Sequence, residues 1–480
     1  MHKFNYKNLL IYQLYLPSFG KTFLEIADLV DYFIKLKINY IWLSPIFPHG
    51  NKDGGYDITD FYSTNTYYGS IDDLKKLINI YHENNIKIII DIIPNHTSIN
   101  HKWFQESREI NSTKRDWYVW SKKDKLPNNW YSYFEKSPWT YDIKSDSYYY
   151  HHFYKEQPDL NFWNIEVQKE IKNIFLFWAN LGIDGFRIDA VGCIFHDPNL
   201  KNNTNVPVNI DGILPRDIPR RSQLNNPNTF KFLKELKKDI KDIYPNCLLL
   251  GETEFHTSED KMELVNILDL SMNYKWSYIN ELICNKIYKE TIKWNNLCKS
   301  MYKDPLYFLY NHDESRGRYG ENKNINIRKM LFILLHCMPG YKILYYGEEL
   351  GMSDGINNNI DTYGRDKYRS PYPWNKDFMI ENWVEKHPES KYINLEDQKK
   401  DVNSYYNWVK KILKMLYKKN EYKFKISKCS NILTIHKGKI EIILNFGSSL
   451  CINVIKENIM DSNLYNGFIL DKFGFILKKK

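Results

Sequence analysis

The chain has 480 residues, 43% of them hydrophobic, which is too long for one ordinary domain and fits a barrel with additions. Lys and Arg outnumber Asp and Glu by 67 to 58, a formal net charge of +9, but the lysines are scattered among Asn, Ile and Tyr and form no nucleic-acid-binding stripe. Seven widely spaced cysteines without a Cys-x-x-Cys pair exclude a disulfide framework or zinc site and point to a reducing, cytoplasmic compartment.

From the N-terminus, LLIYQLYL (9–16) is short and interrupted by Gln13, so it reads as a strand and not a signal peptide. A helical pattern follows over 26–36, with apolar residues at Ile26, Leu29, Val30, Phe33 and Ile34. NYIWLSPI is the next strand, then a helix through SIDDLKKLINIYHENN with Ser70 as N-cap. KIIIDII, apolar apart from Lys87 and Asp91, suits a strand buried on both faces. The alternation then stops. Residues 97–164 are rich in Trp, Tyr, Pro and Asn, which predicts an inserted domain, since plain loops of this length are uncommon.

Alternation resumes with the helix EVQKEIKNIFLFWANLG, the strand DGFRIDAV, the helix NTFKFLKELKKDIKDI and the strand CLLLGET. NILDLSMN, PLYFLYNHD and YKILYYGEE are further strands, with the helix IRKMLFILLHCM between the last two and a closing helix over 405–417. Eight β runs alternating with helices predict an α/β fold, a (β/α)8 TIM barrel built from residues 1–96 and 165–420. Residues 421–480 change to short alternating strands and predict a C-terminal antiparallel β domain. No stretch is long and apolar enough to span a membrane.

Polar groups recur at the C-terminal ends of the β runs. Asp91, Asn95 and His96 close the third, Arg187 and Asp189 lie in the fourth, Glu252 ends the fifth, and Asn311, His312 and Asp313 end the seventh. One such acid is a plausible structural cap; four clusters on one rim point to catalysis. The fourth and fifth strands are neighbours, about 4.8 Å apart, which allows Asp189 and Glu252 the roughly 5–5.5 Å carboxyl spacing of a retaining glycosidase. Arg187 lies two residues before Asp189, on the same strand face, and is expected to keep it ionised as the nucleophile. Glu252 has no adjacent cation in sequence, so an enclosed site is expected to raise its pKa, as a general acid requires. Asp313 is the third carboxylate, placed to stabilise positive charge at an anomeric carbon. His96 and His312 are candidate donors to sugar hydroxyls.

DIIPNH (91–96), GFRID (185–189), LGET (250–253) and YNHD (310–313) together resemble the motifs of glycoside hydrolase family 13, the α-amylase superfamily, in order and placement. The resemblance implies the catalytic barrel, the insertion after its third strand and the C-terminal β domain. It also implies Asp189 as nucleophile, Glu252 as acid/base and Asp313 as transition-state stabiliser. QPDLN (157–161) is similar to the oligo-1,6-glucosidase and α-glucosidase subgroup. DGGYD (53–57) resembles that subgroup's first sugar-binding loop, implying Asp53 and Tyr56 at the non-reducing glucose, and GRDKYRSPYPW (364–374) resembles its late loop, implying Arg369 paired with Asp53. That pair would close the pocket behind one glucose and make the enzyme exo-acting.

Two departures matter. SFGKTFLEIADL stands where this subgroup often carries an acidic metal loop, so no metal and no cofactor are expected. Ala190 follows the nucleophile where valine goes with α-1,6 activity, so the expectation is a maltase-like α-1,4 preference. The expected function is hydrolysis of short α-glucosides, maltose-like or sucrose, by a monomer or small homo-oligomer without nucleic-acid or membrane partners. The alternatives are a transglycosylase or isomerase acting on trehalose or sucrose and, more distantly, an inactive binding subunit.

Overall fold

The apolar runs become the strands of one eight-stranded sheet. In the computed structural model these are β1 (Leu9–Tyr15), β2 (Tyr40–Ser44), β3 (Lys87–Ile92), β7 (Gly185–Ile188), β8 (Leu248–Gly251), β9 (Leu270–Ser271), β10 (Leu306–Tyr307) and β11 (Tyr341–Tyr345). Between β3 and β7 lie the insertion strands β4 (Trp120–Lys122), β5 (Trp139–Asp142) and β6 (Ser147–Tyr150). The eight strands run in the order β10-β11-β1-β2-β3-β7-β8-β9, the sequential order of a (β/α)8 barrel with its two shortest strands at the ends. The structure describes residues 9–122, 126–206, 220–252, 264, 266–272, 306–317, 324–338, 340–357, 361, 363–381, 383–417, 424–429, 432–447, 450–452, 459–466 and 469–479. Of the segments read from sequence, residues 1–8, 123–125, 207–219, 253–263, 265, 273–305, 318–323, 339, 358–360, 362, 382, 418–423, 430–431, 448–449, 453–458, 467–468 and 480 lie outside these.

By contacts the chain divides into two compact units, Lys21–Val30 with Trp42–Met272, and Met1–Gly20 with Asp31–Ile41 and Asn273–Lys480. In the first unit β3, β7 and β8 are parallel neighbours, with Asp91 opposite Arg187 and Ile188 opposite Gly251. Ile88, Ile89, Ile90 and Ile92 are fully buried, as the apolar run requires of a strand covered on both faces. The helix Ile71–Glu83 begins where expected: Ser70 Oγ accepts from Asp73 N–H at 3.2 Å and Asp73 returns the bond to Ser70 N–H at 3.1 Å. The insertion folds into the antiparallel sheet β4-β6-β5 over a small core of Val119, Trp130, Trp139 and Tyr150. Its last residues return to the end of β3, where Leu160 N–H bonds the Asn95 carbonyl and Thr97 N–H the Pro158 carbonyl.

In the second unit β1 and β10 flank β11 in parallel. Beyond the helix Tyr405–Leu416, the strands β12 (Phe424–Cys429), β13 (Ile432–Lys437), β14 (Ile440–Asn445), β15 (Leu450–Cys451), β16 (Ile459–Tyr465) and β17 (Ile469–Lys479) form an antiparallel sheet around Ile432, Ile443, Leu470 and Ile476.

The helix expected over 26–36 is two helices, Phe23–Ala27 and Val30–Lys35. Thr22 and Glu25 make a capping box that starts the first before Ile26, and a tight turn ends it, with Leu29 N–H on the Ile26 carbonyl. No helix among the described residues is long and apolar enough to cross a membrane.

Candidate active site

The hydrogen-bond ladder of β3, β7 and β8 runs one residue beyond the strands. Asp189 N–H bonds the Ile92 carbonyl, Glu252 N–H the Ile188 carbonyl, and Val191 N–H the Glu252 carbonyl, at 2.8–3.0 Å. This fixes Asp189 and Glu252 on consecutive strand ends.

Between them sits Arg187, fully buried. Its Nη1 donates to Asp189 Oδ1 at 2.5 Å and to Asp91 Oδ1 at 3.1 Å, and its Nη2 forms an ion pair with Glu252 Oε2. Sequence adjacency assigns the guanidinium to Asp189 alone; the structure shares it among three carboxyl groups. For Asp189 the pull of Arg187 toward the ionised form meets an opposing effect of burial. Burial drives its carboxyl well above the usual range, and Glu252 and Asp91 add to this against the pull of Arg187. One buried cation does not neutralise three carboxylates, so the cluster is disposed to hold a proton.

Asp91 supports the cluster from behind. Trp42 Nε1 donates to its Oδ2 at 3.2 Å and Tyr56 O–H at 3.4 Å, and burial lifts its carboxyl to about 6. Tyr56 comes from the DGGYD loop, where Gly55 has φ +103° and an added Cβ would fall 2.4 Å from Pro45 Cγ. Burial holds His96 neutral, at about 4. Its Nε2 lies 3.2 Å from the Tyr56 carbonyl and 3.1 Å from Gln157 Nε2, and its Nδ1 3.4 Å from Asn95 Nδ2. Asp53 accepts from Gln157 Nε2 at 3.1 Å, a link between the first sugar-binding loop and QPDLN.

The second unit gathers its own group at the end of β10. Gln13 Nε2 donates to His312 Nδ1 at 2.9 Å, which leaves His312 Nε2 to donate to Asp313 Oδ2 at 3.1 Å. The imidazole stacks on Tyr15, with ring centroids 5.5 Å apart. Asp313 Oδ1 accepts from Arg369 Nη2 and from Arg365 Nη1, both at 2.9 Å, and Arg369 Nε bonds the His312 carbonyl. The resemblance points to Arg369 but not to Arg365 or its partner Asp361; the spacing of four residues, Asp361, Arg365, Arg369, is the available signal.

A (β/α)8 barrel whose strand ends gather carboxyl groups around a buried arginine has the architecture of a barrel glycosidase. The family described as "Alpha amylase, catalytic domain" matches residues 22–424. An oligo-1,6-glucosidase of Bacillus cereus is 30% identical over 97% of this chain and 95% of its own length, and an α-glucosidase of Apis mellifera 29% identical over 96% and 87%. Among solved structures, a trehalose-6-phosphate hydrolase of Bacillus licheniformis superposes with a TM-score of 0.80 at 24% identity, covering 98% of this chain and 99% of that one. A trehalulose synthase of Pseudomonas mesoacidophila gives 0.82 at 19%, covering 98% of each. The chain belongs to the α-amylase family, glycoside hydrolase family 13, in the oligo-1,6-glucosidase and α-glucosidase subgroup, and is a glycoside hydrolase enzyme.

Proposed function

We propose that the protein is a retaining, exo-acting α-glucosidase that releases glucose from short α-glucosides. The observation that carries this is the pair Asp189 and Glu252, on consecutive strand ends and bound to the two Nη atoms of one guanidinium. Carboxyl groups tied to one guanidinium are close, which favours the roughly 5–5.5 Å arrangement of a retaining enzyme over the wider inverting one.

In this reading the proton of the cluster sits on Glu252, which gives it to the glycosidic oxygen while the Asp189 carboxylate, held by Arg187, attacks the anomeric carbon. The aglycone leaves as an alcohol and a glucosyl-Asp189 ester remains. Glu252, now a carboxylate, takes a proton from water, which attacks the same carbon and frees Asp189. Asp313 faces the developing positive charge. Arg187 orients both reacting carboxylates. Asp53, Tyr56, His96, His312 and Arg369 hold the non-reducing glucose, with Asp53 and Arg369 closing the pocket behind it. Ala190 supports an α-1,4 preference. Gln157, near the end of the inserted domain (97–164), steadies Asp53.

A second reading keeps the same ester but passes the glucosyl group to a sugar. It draws support from the structural likeness to a trehalulose synthase. Product analysis after separate incubation with maltose, isomaltose, sucrose and trehalose separates the two. Glucose as the main product favours hydrolysis, and a new disaccharide favours transfer. The purified protein is expected to cleave 4-nitrophenyl α-glucoside, and Asp189→Asn to lose turnover by several orders of magnitude while keeping its circular dichroism spectrum. Activity retained by a folded Asp189→Asn protein would reassign the nucleophile.

A further inference from the structure

The segment holding Arg365 and Arg369 is built around a buried aspartate. Asp361 Oδ2 accepts from Arg365 N–H at 3.1 Å and Arg365 Nε at 2.6 Å, and its Oδ1 accepts from Tyr363 N–H at 3.1 Å. Asp361 N–H in turn bonds Asp366 Oδ1 at 2.9 Å, and a 3-10 turn, Asp366–Tyr368, follows. Two faces of the Arg365 guanidinium are therefore committed: Nε to Asp361, Nη1 to Asp313. Asp361 is 6% exposed and Arg365 8%, so water screens the arrangement weakly.

Charge gives the arrangement a purpose. A carboxylate that stabilises a cationic transition state works through its own negative charge. Asp313 carries two guanidinium groups on one oxygen, while His312 donates to the other. With Arg365 and Arg369 alone, the surroundings of Asp313 would bear a net positive charge and oppose positive charge at the anomeric carbon. Asp361 offsets the charge of Arg365, while its grip on Nε keeps Nη1 aimed at Asp313. We infer that Asp361 and Arg365 are positioning residues: Arg365 fixes the Asp313 carboxylate, and Asp361 fixes Arg365 and cancels its charge. This rests on Asp313 acting as the transition-state stabiliser in the function proposed above.

The test compares wild type with Asp361→Asn, Arg365→Met and Arg365→Lys on 4-nitrophenyl α-glucoside. Thermal melting checks the fold. Affinities are measured for 1-deoxynojirimycin, a protonated mimic of glucose, and for neutral glucose. Asp361→Asn is expected to lower kcat about 10-fold or more, with KM changed less than about threefold, because the loss falls in the transition state. It should weaken the cationic mimic about tenfold while leaving glucose nearly unchanged. Arg365→Met should lose more kcat, and Arg365→Lys should recover part of it. A wild type that cleaves no α-glucoside sinks the α-glucosidase reading and the inference together. An active wild type whose folded Asp361→Asn and Arg365→Met variants keep kcat within about twofold sinks the inference alone, as does an equal loss of affinity for mimic and glucose.

Discussion

Ala190, next to the candidate nucleophile, adopts the left-handed conformation, φ 46° and ψ 40°. The turn lets Val191 N–H reach the Glu252 carbonyl, so backbone strain at one residue ties the ends of β7 and β8 together. In sequence, position 190 is a choice of side-chain size, valine for α-1,6 and smaller residues for α-1,4. The backbone adds a cost. A β-branched side chain in the left-handed region is a steric outlier. Ala190→Val is thus expected to lower unfolding stability by about 1–2 kcal/mol in urea titrations, whatever it does to linkage preference. Ala190→Gly should not. Equal stability of the valine variant and wild type would show that the turn relaxes.

At this scale the sequence reveals residues that lie in register at strand ends, since a buried apolar run closing on an acid is visible without coordinates. It conceals bonds between chain segments. Arg187 on Glu252 depends on the pairing of β7 with β8, and Arg365 on Asp313 depends on an irregular loop with no period to read.

Among elements, the legible ones are those with both a period and a stop signal. The helix Ile71–Glu83 has the apolar positions Leu74, Leu77, Ile78 and Tyr81 buried on one face, and Ser70 to start it. Ser70→Ala removes the acceptor for Asp73 N–H and the hydroxyl that donates to Asp73 Oδ2, while Ser70 N–H keeps its bond to Asp73. It is expected to cost about 0.5–2 kcal/mol, measurable as a lower urea midpoint with unchanged activity on 4-nitrophenyl α-glucoside. No change in midpoint would mean that solvent replaces the cap without loss. The helix pattern over 26–36 was misleading for the complementary reason. The apolar period continues through Asp28 and Leu29, but the capping box Thr22–Glu25 shifts the start and a tight turn divides the run. Hydrophobic period alone does not reveal where backbone hydrogen bonds are handed from one helix to the next. The strands β9 and β10 shrink to two residues each, far less than the runs NILDLSMN and PLYFLYNHD suggested. Much of those runs is apolar because it is buried, not because it lies in the ladder.

For the molecule as a whole, net charge says little, because the decisive lysines are inside it. Lys437, in β13, is buried and donates to the His336 carbonyl at 2.9 Å, joining the C-terminal sheet to the helix Ile325–Cys337. Lys342, in β11, is also fully buried and donates to the Gly340 carbonyl at 2.9 Å. The rings and thiols nearby include Tyr417, 5.1 Å from Lys437 Nζ to its centroid, and Cys337. Burial lowers Lys437 to about 8 from 10.5, with Cys337 opposing weakly. The linkage has a definite sign. Between about pH 8 and 10.5 the unfolded chain binds a proton at Lys437 that the folded protein lacks, so this group's contribution to stability rises with pH. Below pH 8 the cost of charging a buried ammonium is borne in full, on the order of 3 kcal/mol. Lys437→Met keeps the length of the side chain and removes the charge. Its stability gain over wild type is expected to be largest at pH 7 and to shrink as the pH approaches 10, where wild type no longer charges the site. Urea titrations of both proteins at pH 7, 8.5 and 10 measure the effect together with the response of Lys342, Cys337 and His336, on which the Lys437 charge acts. A difference that stays flat across that range would show that Lys437 keeps its proton when folded, and that the joint between sheet and helix holds an ammonium it has fully compensated.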